Sequence, residues 1–213
     1  MEGFKSVRAG LAVTAALAFN AFSVSAQTVS YSTSGAFSGG TGGTVCTATQ
    51  CTAGGFTLSF NGAALTNYMA PTLVDLGQFV TAFSPDGGTA PLTAFTGVGF
   101  ALMITQTSPS GGNAILTDGI AGTLSYNPSS STLVWSPIAT TTSIGSVKYS
   151  LVVDNTGNIN IQAPTTNGGN PNVTSVKANV SVTPEPATLL LLAPALAGLG
   201  IVARVRRRSH KNT

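Results

Sequence analysis

Four aspartates, two cysteines and no histidine are the reactive groups in the long middle of this 213-residue chain. Between Gln27 and Thr183 there is also no Glu or Arg, and the one histidine, His210, lies in a basic tail. A Ser-His-Asp or Cys-His relay needs an imidazole to carry the proton, so neither can be built within that segment. Asp75, Asp86, Asp118 and Asp154 remain, and a paired-carboxylate glycosidase needs only two carboxylates. Three of the four sit in turn contexts, "PDGG", "TDG" and "DNTG", where an aspartate bonds its own backbone. Asp75, in "LVDLGQF", is the least turn-like and fits a sheet-edge or solvent-facing position.

Cys46 and Cys51, in "CTATQC", are the only cysteines. In an oxidising compartment such a pair favours a disulfide, with free thiols as the alternative. The closed loop is short, so the chain-entropy gain would be only about 2 kcal/mol. A metal site would need histidine or further cysteine partners that the segment lacks, and no cofactor is implied. "DNTGNIN" is superficially similar to a calcium loop, but the distal bidentate glutamate is missing, and it reads as a hairpin turn. "NVT" (172–174) and "NVS" (179–181) match the glycosylation pattern too loosely to carry weight. Tyr31, Tyr68, Tyr126, Tyr149 and Trp135 offer a carbohydrate-stacking face, and core packing is the competing reading for most of them.

The elements that must position these groups read as strands. Val98, Phe100, Leu102 and Ile104 alternate with smaller or polar residues, as do Val147, Tyr149, Leu151 and Val153. The clearest alternation is Val176, Ala178, Val180 and Val182 against Lys177, Asn179 and Ser181. A period of two means strands with one face buried, typical of antiparallel sheets. Further candidates cover 56–60, 73–83, 121–127, 131–135 and 158–162, separated by turn clusters such as "SPDGG", "SPSGGN", "NPSSS" and "TNGGNPN". "YSLVVDNTGNINIQ" is the most secure hairpin, whereas "SGAFSGGTGGT" (34–44) reads as a flexible approach rather than sheet. No segment here carries an apolar stripe at helical spacing. Eight or nine short strands point to an antiparallel β-sandwich or jelly roll.

The two ends of the chain carry a different message. Lys5 and Arg8 precede an apolar stretch from Leu11 to Phe22, and Val24-Ser25-Ala26 places small residues before a cleavage site between Ala26 and Gln27. That order of parts is a secretory signal peptide over residues 1–26. At the other end, Pro184-Glu185-Pro186 leads into Ala187–Ala203, which is 17 residues long and uncharged. Such a run is at the short end for a membrane helix, and basic residues beside a span stay on the cytoplasmic side. Here Arg204, Arg206, Arg207 and Arg208 form that cluster, and residues 209–213 form a short cytoplasmic tail. The formal charge of +3 comes from these ends, because residues 27–183 hold two lysines against four aspartates, a net of −2. The basic balance is thus a topology signal, and nucleic acid is not expected as a partner.

The segment from Thr183 to Arg208 resembles the PEP-CTERM sorting signal of Gram-negative envelope proteins, which joins a Pro-Glu-Pro triplet, an apolar run and an arginine cluster in this order. The resemblance covers some 30 of 213 residues and leaves the β domain untouched. Thr183 stands where the family often has a valine, at a position that varies. The resemblance implies recognition by an exosortase, a membrane-embedded enzyme that cuts near the triplet, so the membrane would be a transient partner. It also implies a setting in which exopolysaccharide or biofilm matrix is made. Similar tails carry the label of an ice-binding protein C-terminal domain, but the threonines of "ATTTSIG" and "APTTNGG" follow no fixed period. The label describes the tail alone.

The expectation is therefore a signal peptide (1–26), a flexible Gly/Thr-rich region with a disulfide loop (27–55), a β-sandwich domain (56–183) and a sorting signal (184–208). The chain is expected to be exported, held briefly by its C-terminus, and left at the cell surface or outside the cell. A non-enzymatic structural or adhesive role leads. A carbohydrate-binding module is the alternative, ahead of an Asp-dependent hydrolase.

Overall fold

A computed structural model describes residues 27–84, 92–125, 131–164 and 170–183. The expected signal peptide before Gln27, the triplet Pro184-Glu185-Pro186, the span 187–203, the arginine cluster, Asp86 and Tyr126 lie outside these residues. The described chain is all-β and has no helix, hence none long and apolar enough to cross a membrane.

The strands are, in order, β1 (Gln27–Thr41), β2 (Val45–Cys46), β3 (Gln50–Ala53), β4 (Phe56–Gly62), β5 (Ala64–Ala70), β6 (Thr72–Phe83) and β7 (Thr93–Ser108). They continue as β8 (Gly112–Leu124), β9 (Val134–Trp135), β10 (Thr141–Ile144), β11 (Val147–Leu151), β12 (Ile159–Asn160) and β13 (Asn172–Val182). Two antiparallel sheets form in a sandwich-like arrangement, one in the order β12-β9-β8-β7-β1-β5 and one in the order β10-β11-β13-β6-β4-β3-β2.

The alternations of the sequence place the core. Val98, Phe100, Leu102 and Ile104 of β7 are buried, as are Val147, Tyr149 and Leu151 of β11 and Val176, Ala178 and Val180 of β13. Between the sheets an aromatic cluster interlocks. Phe60 and Phe79 come from the seven-stranded sheet, and Phe37, Phe100 and Trp135 from the six-stranded one. Phe79 and Phe100 meet across the core at a ring-centroid separation of 4.8 Å, and Trp135 stands edge-on to Phe100 at 5.2 Å. Offset and edge-on contacts of this kind add to the gain from burial alone.

Three expectations need correcting. Residues 34–41 are not a flexible approach but part of β1, a 15-residue strand between β5 and β7, so the described β domain includes residues ahead of the expected start at 56. Ser34, Ala36 and Ser38 are too small and polar to stand out in a sequence pattern, yet Phe37 is buried and the pairing with β7 runs from Ser30 to Thr41. The secure-looking hairpin "YSLVVDNTGNINIQ" is a crossing between sheets: β11 pairs with β10 and β13, whereas β12 pairs with β9. Asn158 and Asp154 do close a tight turn, through a 2.9 Å backbone bond, but the strands on its two sides diverge to opposite sheets. Finally, the strands are not uniformly short, since β1, β7 and β8 hold 15, 16 and 13 residues.

Candidate functional site

One surface depression of the described chain grows from an irregularity in β6. Opposite it, β13 pairs Ser175 with Gln78 and Lys177 with Asp75, so Leu76 and Gly77 together face a single residue, Val176. This is a β-bulge, and it shifts the inward-facing parity from Val74 and Leu76 to Phe79, Thr81 and Phe83. Gly77 adopts φ +120°, and a Cβ there would lie 2.5 Å from the Asn61 carbonyl oxygen, so glycine is required. The bulge is held from three sides. The Asp75 carboxylate accepts from the Gly77 N–H at 2.8 Å, the Tyr31 hydroxyl donates to the Asp75 carbonyl at 2.8 Å, and the Thr33 hydroxyl donates to the Leu76 carbonyl at 2.6 Å. Tyr31 and Thr33 belong to β1, so the opposite sheet supports the site from below. Burial raises the Tyr31 phenol far above its ordinary pKa, with the neighbouring Tyr149 and Asp75 adding to the effect, and it stays a neutral donor.

Above the bulge lies an open depression of about 190 Å³ lined by Asn61, Gly62, Ala63, Asp75, Gly77 and Gln78. Its polar equipment is one carboxylate and two amides. Asn61 and Gln78 face each other across β4 and β6, as do Gly62 and Gly77. Carboxylate and amide groups side by side suit a neutral ligand rich in hydroxyls, since they offer both donors and acceptors.

The other aspartates stand elsewhere. Asp118 belongs to β8, opposite Phe100, and its carboxylate accepts from the Gly119 N–H; the turn expected at "TDG" is strand. Asp154 organises the crossing turn. Its carboxylate accepts from the Thr156 hydroxyl at 2.6 Å, the Thr156 and Asn158 N–H groups at 2.8 and 2.9 Å, and the Asn160 amide at 2.9 Å. These bonds, the Thr156 hydroxyl first, hold the carboxyl down at about 2. Its oxygens face donors, which is the reverse of what a calcium ion would need. No hydrogen bond joins any two of Asp75, Asp118 and Asp154, and among the described residues no three His, Cys, Asp or Glu side chains group to hold a metal.

Cys46 and Cys51 are joined as a disulfide across the β2–β3 hairpin, where they are cross-strand partners. Cys51 is fully buried, and the hairpin tip is tied to β1 by the Phe37 N–H bonding Ala48 at 3.0 Å. The aromatic side chains divide sharply. Trp135, Tyr31 and Tyr149 are buried, which removes Trp135 as a stacking surface, and of these candidates among the described residues only Tyr68 is exposed, at 38%. The Trp135 Nε1 is the one buried side-chain polar atom without a partner among the described residues. Tyr149 donates at 2.8 Å to Oε1 of the buried Gln106, which in turn donates to the Ser110 carbonyl at 2.8 Å, and burial pushes the Tyr149 phenol up to about 12. Both sequons lie on β13. The Asn172 amide is committed to the Ala163 carbonyl at 2.8 Å, while Asn179 is exposed.

The last sheet contact of the described chain is the Thr183 N–H donating to the Ser146 carbonyl at 2.8 Å. One residue later the sequence reaches Pro184. No protein-family model, curated protein or solved structure matches the chain.

Proposed function

We propose that this chain is an exported envelope or matrix protein whose C-terminal segment is a PEP-CTERM signal read by an exosortase, and whose β domain has a non-enzymatic structural or adhesive role. In this reading residues 1–26 are a removed signal peptide, 187–203 a short membrane helix, and Arg204, Arg206, Arg207 and Arg208 its cytoplasmic stop. The observation that carries it is the position of the triplet. β13 is paired with β11 to its last residue, Val182, and with β6 as far as Val180, and Pro184-Glu185-Pro186 follows after Thr183 alone. Two prolines cannot continue a ladder or start a helix in the residues before them, so they keep a segment extended, the form a membrane protease can bind. A handle placed there can be cut without disturbing a single described strand.

The measurement is the intact mass of the protein isolated from its native host. A C-terminus near Pro184–Ala187, lost as a cleavage site in Glu185→Ala, supports the reading. Full-length protein through Thr213, unchanged by that substitution, sinks it.

A second reading is favoured by the depression over the β6 bulge: a surface module for neutral polysaccharide such as exopolysaccharide, engaging hydroxyls through Asp75, Asn61 and Gln78. Polysaccharide pull-down that survives Tyr68→Ala but is lost in Asp75→Ala supports this version. Equal retention by both variants and the wild type removes it.

A further inference from the structure

Both termini of the described domain emerge at one end of the sandwich. Gln27 pairs with Ala70, Ala70 leads through Pro71 into Thr72, and Thr72 pairs with Val180 near the end of β13. The β7–β8 and β10–β11 turns complete the same end, since a Cβ on Gly112 would touch Ile144 and one on Gly145 would touch Ser110. No charged residue occurs in these turns, in 70–72, at Gln27 or at Thr183. Among the described residues the nearest charge is Lys148, which pairs with Ser181 one residue from the end of β13. Around Pro71, by contrast, Tyr68, Met69 and Leu73 are exposed by 38%, 62% and 49%, three large apolar side chains within six residues.

The distance available to this end is short. If Ala187 enters the hydrocarbon, the four links from Thr183 to Ala187 reach at most about 14 Å. The interfacial layer of one leaflet takes up roughly 5–8 Å of that. That leaves about 6–9 Å between Thr183 and the headgroup layer at full extension, so such a tether holds the domain within a side chain's reach of the headgroups, and the end it presents is the one that holds Thr183.

We propose that this end of the sandwich docks on the lipid headgroup layer while the tail is attached, with Tyr68, Met69 and Leu73 entering the interface and Lys148 facing anionic headgroups. Aromatic and apolar side chains with a nearby cation are the composition that this layer accepts. The inference rests on the reading of 187–203 as a span. It adds an orientation: the depression over Asp75 lies on the flank of the anchored domain, and the β4–β6 face stays open to the exterior.

The test uses the full chain reconstituted in phosphatidylglycerol–phosphatidylethanolamine vesicles carrying a headgroup-level nitroxide lipid. Met69→Trp and, as an independent probe, Leu73→Trp report on the docked end. Val173→Trp, also exposed but near the far end of β13, is the control, and buried Trp135 supplies an internal reference. The expected result is that the protein floats with the vesicles and that emission from M69W and L73W falls roughly twofold relative to V173W, as for indoles at headgroup depth. Flotation with equal quenching at all three positions, or with none, overturns the docking and leaves the span standing. Failure to float overturns the span and the docking together.

Discussion

The two sheets differ less in their cores than in their outer faces. The seven-stranded sheet carries Lys148, Lys177 and Asp75 on its solvent side, with the bulge, the depression and the disulfide hairpin. The six-stranded sheet turns outward rows such as Ser34, Met103 and Ile115, or Ala36, Ala101 and Thr117, without a charge among them. The polar groups of these rows are the hydroxyls of Ser34 and Thr117. Charge is therefore not what holds this domain together. The weight falls on what passes between the sheets and on the few polar groups that organise turns.

Removing a group that serves both sheets should cost the most. Trp135→Ala opens a cavity against Phe79 and Phe100, and a loss of about 3–5 kcal/mol is expected in denaturant unfolding. A loss below about 1 kcal/mol would mean the sheets are not packed through this ring. Tyr149→Phe leaves Gln106 Oε1 buried without its donor, for about 1–3 kcal/mol. Next comes a feature of one sheet edge: the double change Cys46→Ala and Cys51→Ala should cost about 2 kcal/mol, or roughly 4–8 °C in Tm.

Titration separates the sheet interface from the crossing turn. Tyr149 has its folded pKa raised to about 12, so its contribution is intact below pH 10 and is lost as pH rises toward 12. Asp154 has its folded pKa lowered from 3.8 to about 2, so its contribution is present above pH 4 and fades as pH falls through 2. Carbon-detected NMR of the Asp154 carboxyl, with the Asn158 amide following it, reads the second window directly. A midpoint near 4 would show that the turn is not organised by the charged carboxylate. The smallest effect is expected for Thr117→Lys on the uncharged face, within about 0.5 kcal/mol in thermal melts.

The strand faces with strong alternation were legible in the sequence because burial on one side leaves a period-two trace, as in β7, β11 and β13. β1 was not, because glycine, serine and alanine pair along a backbone without leaving a hydrophobic pattern. Nor was the partner of β11: an Asp-Asn-Thr-Gly turn looks alike whether the next strand returns beside the first or leaves for the other sheet. Asp75 is the aspartate whose sequence context differs from the rest. Its role at a bulge depends on Tyr31 and Thr33, more than forty residues away. Gly77, two residues on, was the available signal, since a glycine inside an otherwise apolar strand pattern marks a bulge or a close approach.

β13, the strand next to the tail, lies between β11 and β6, and β1, at the other terminus, lies between β7 and β5. A pull on the C-terminus therefore runs along the axis of an interior strand. Its hydrogen bonds to both neighbours must slide and fail together, in shear, rather than open one after another like a zip. With the tail held in a membrane as proposed above, the domain would resist drag as a unit, a mechanical property suited to a protein tethered by one end.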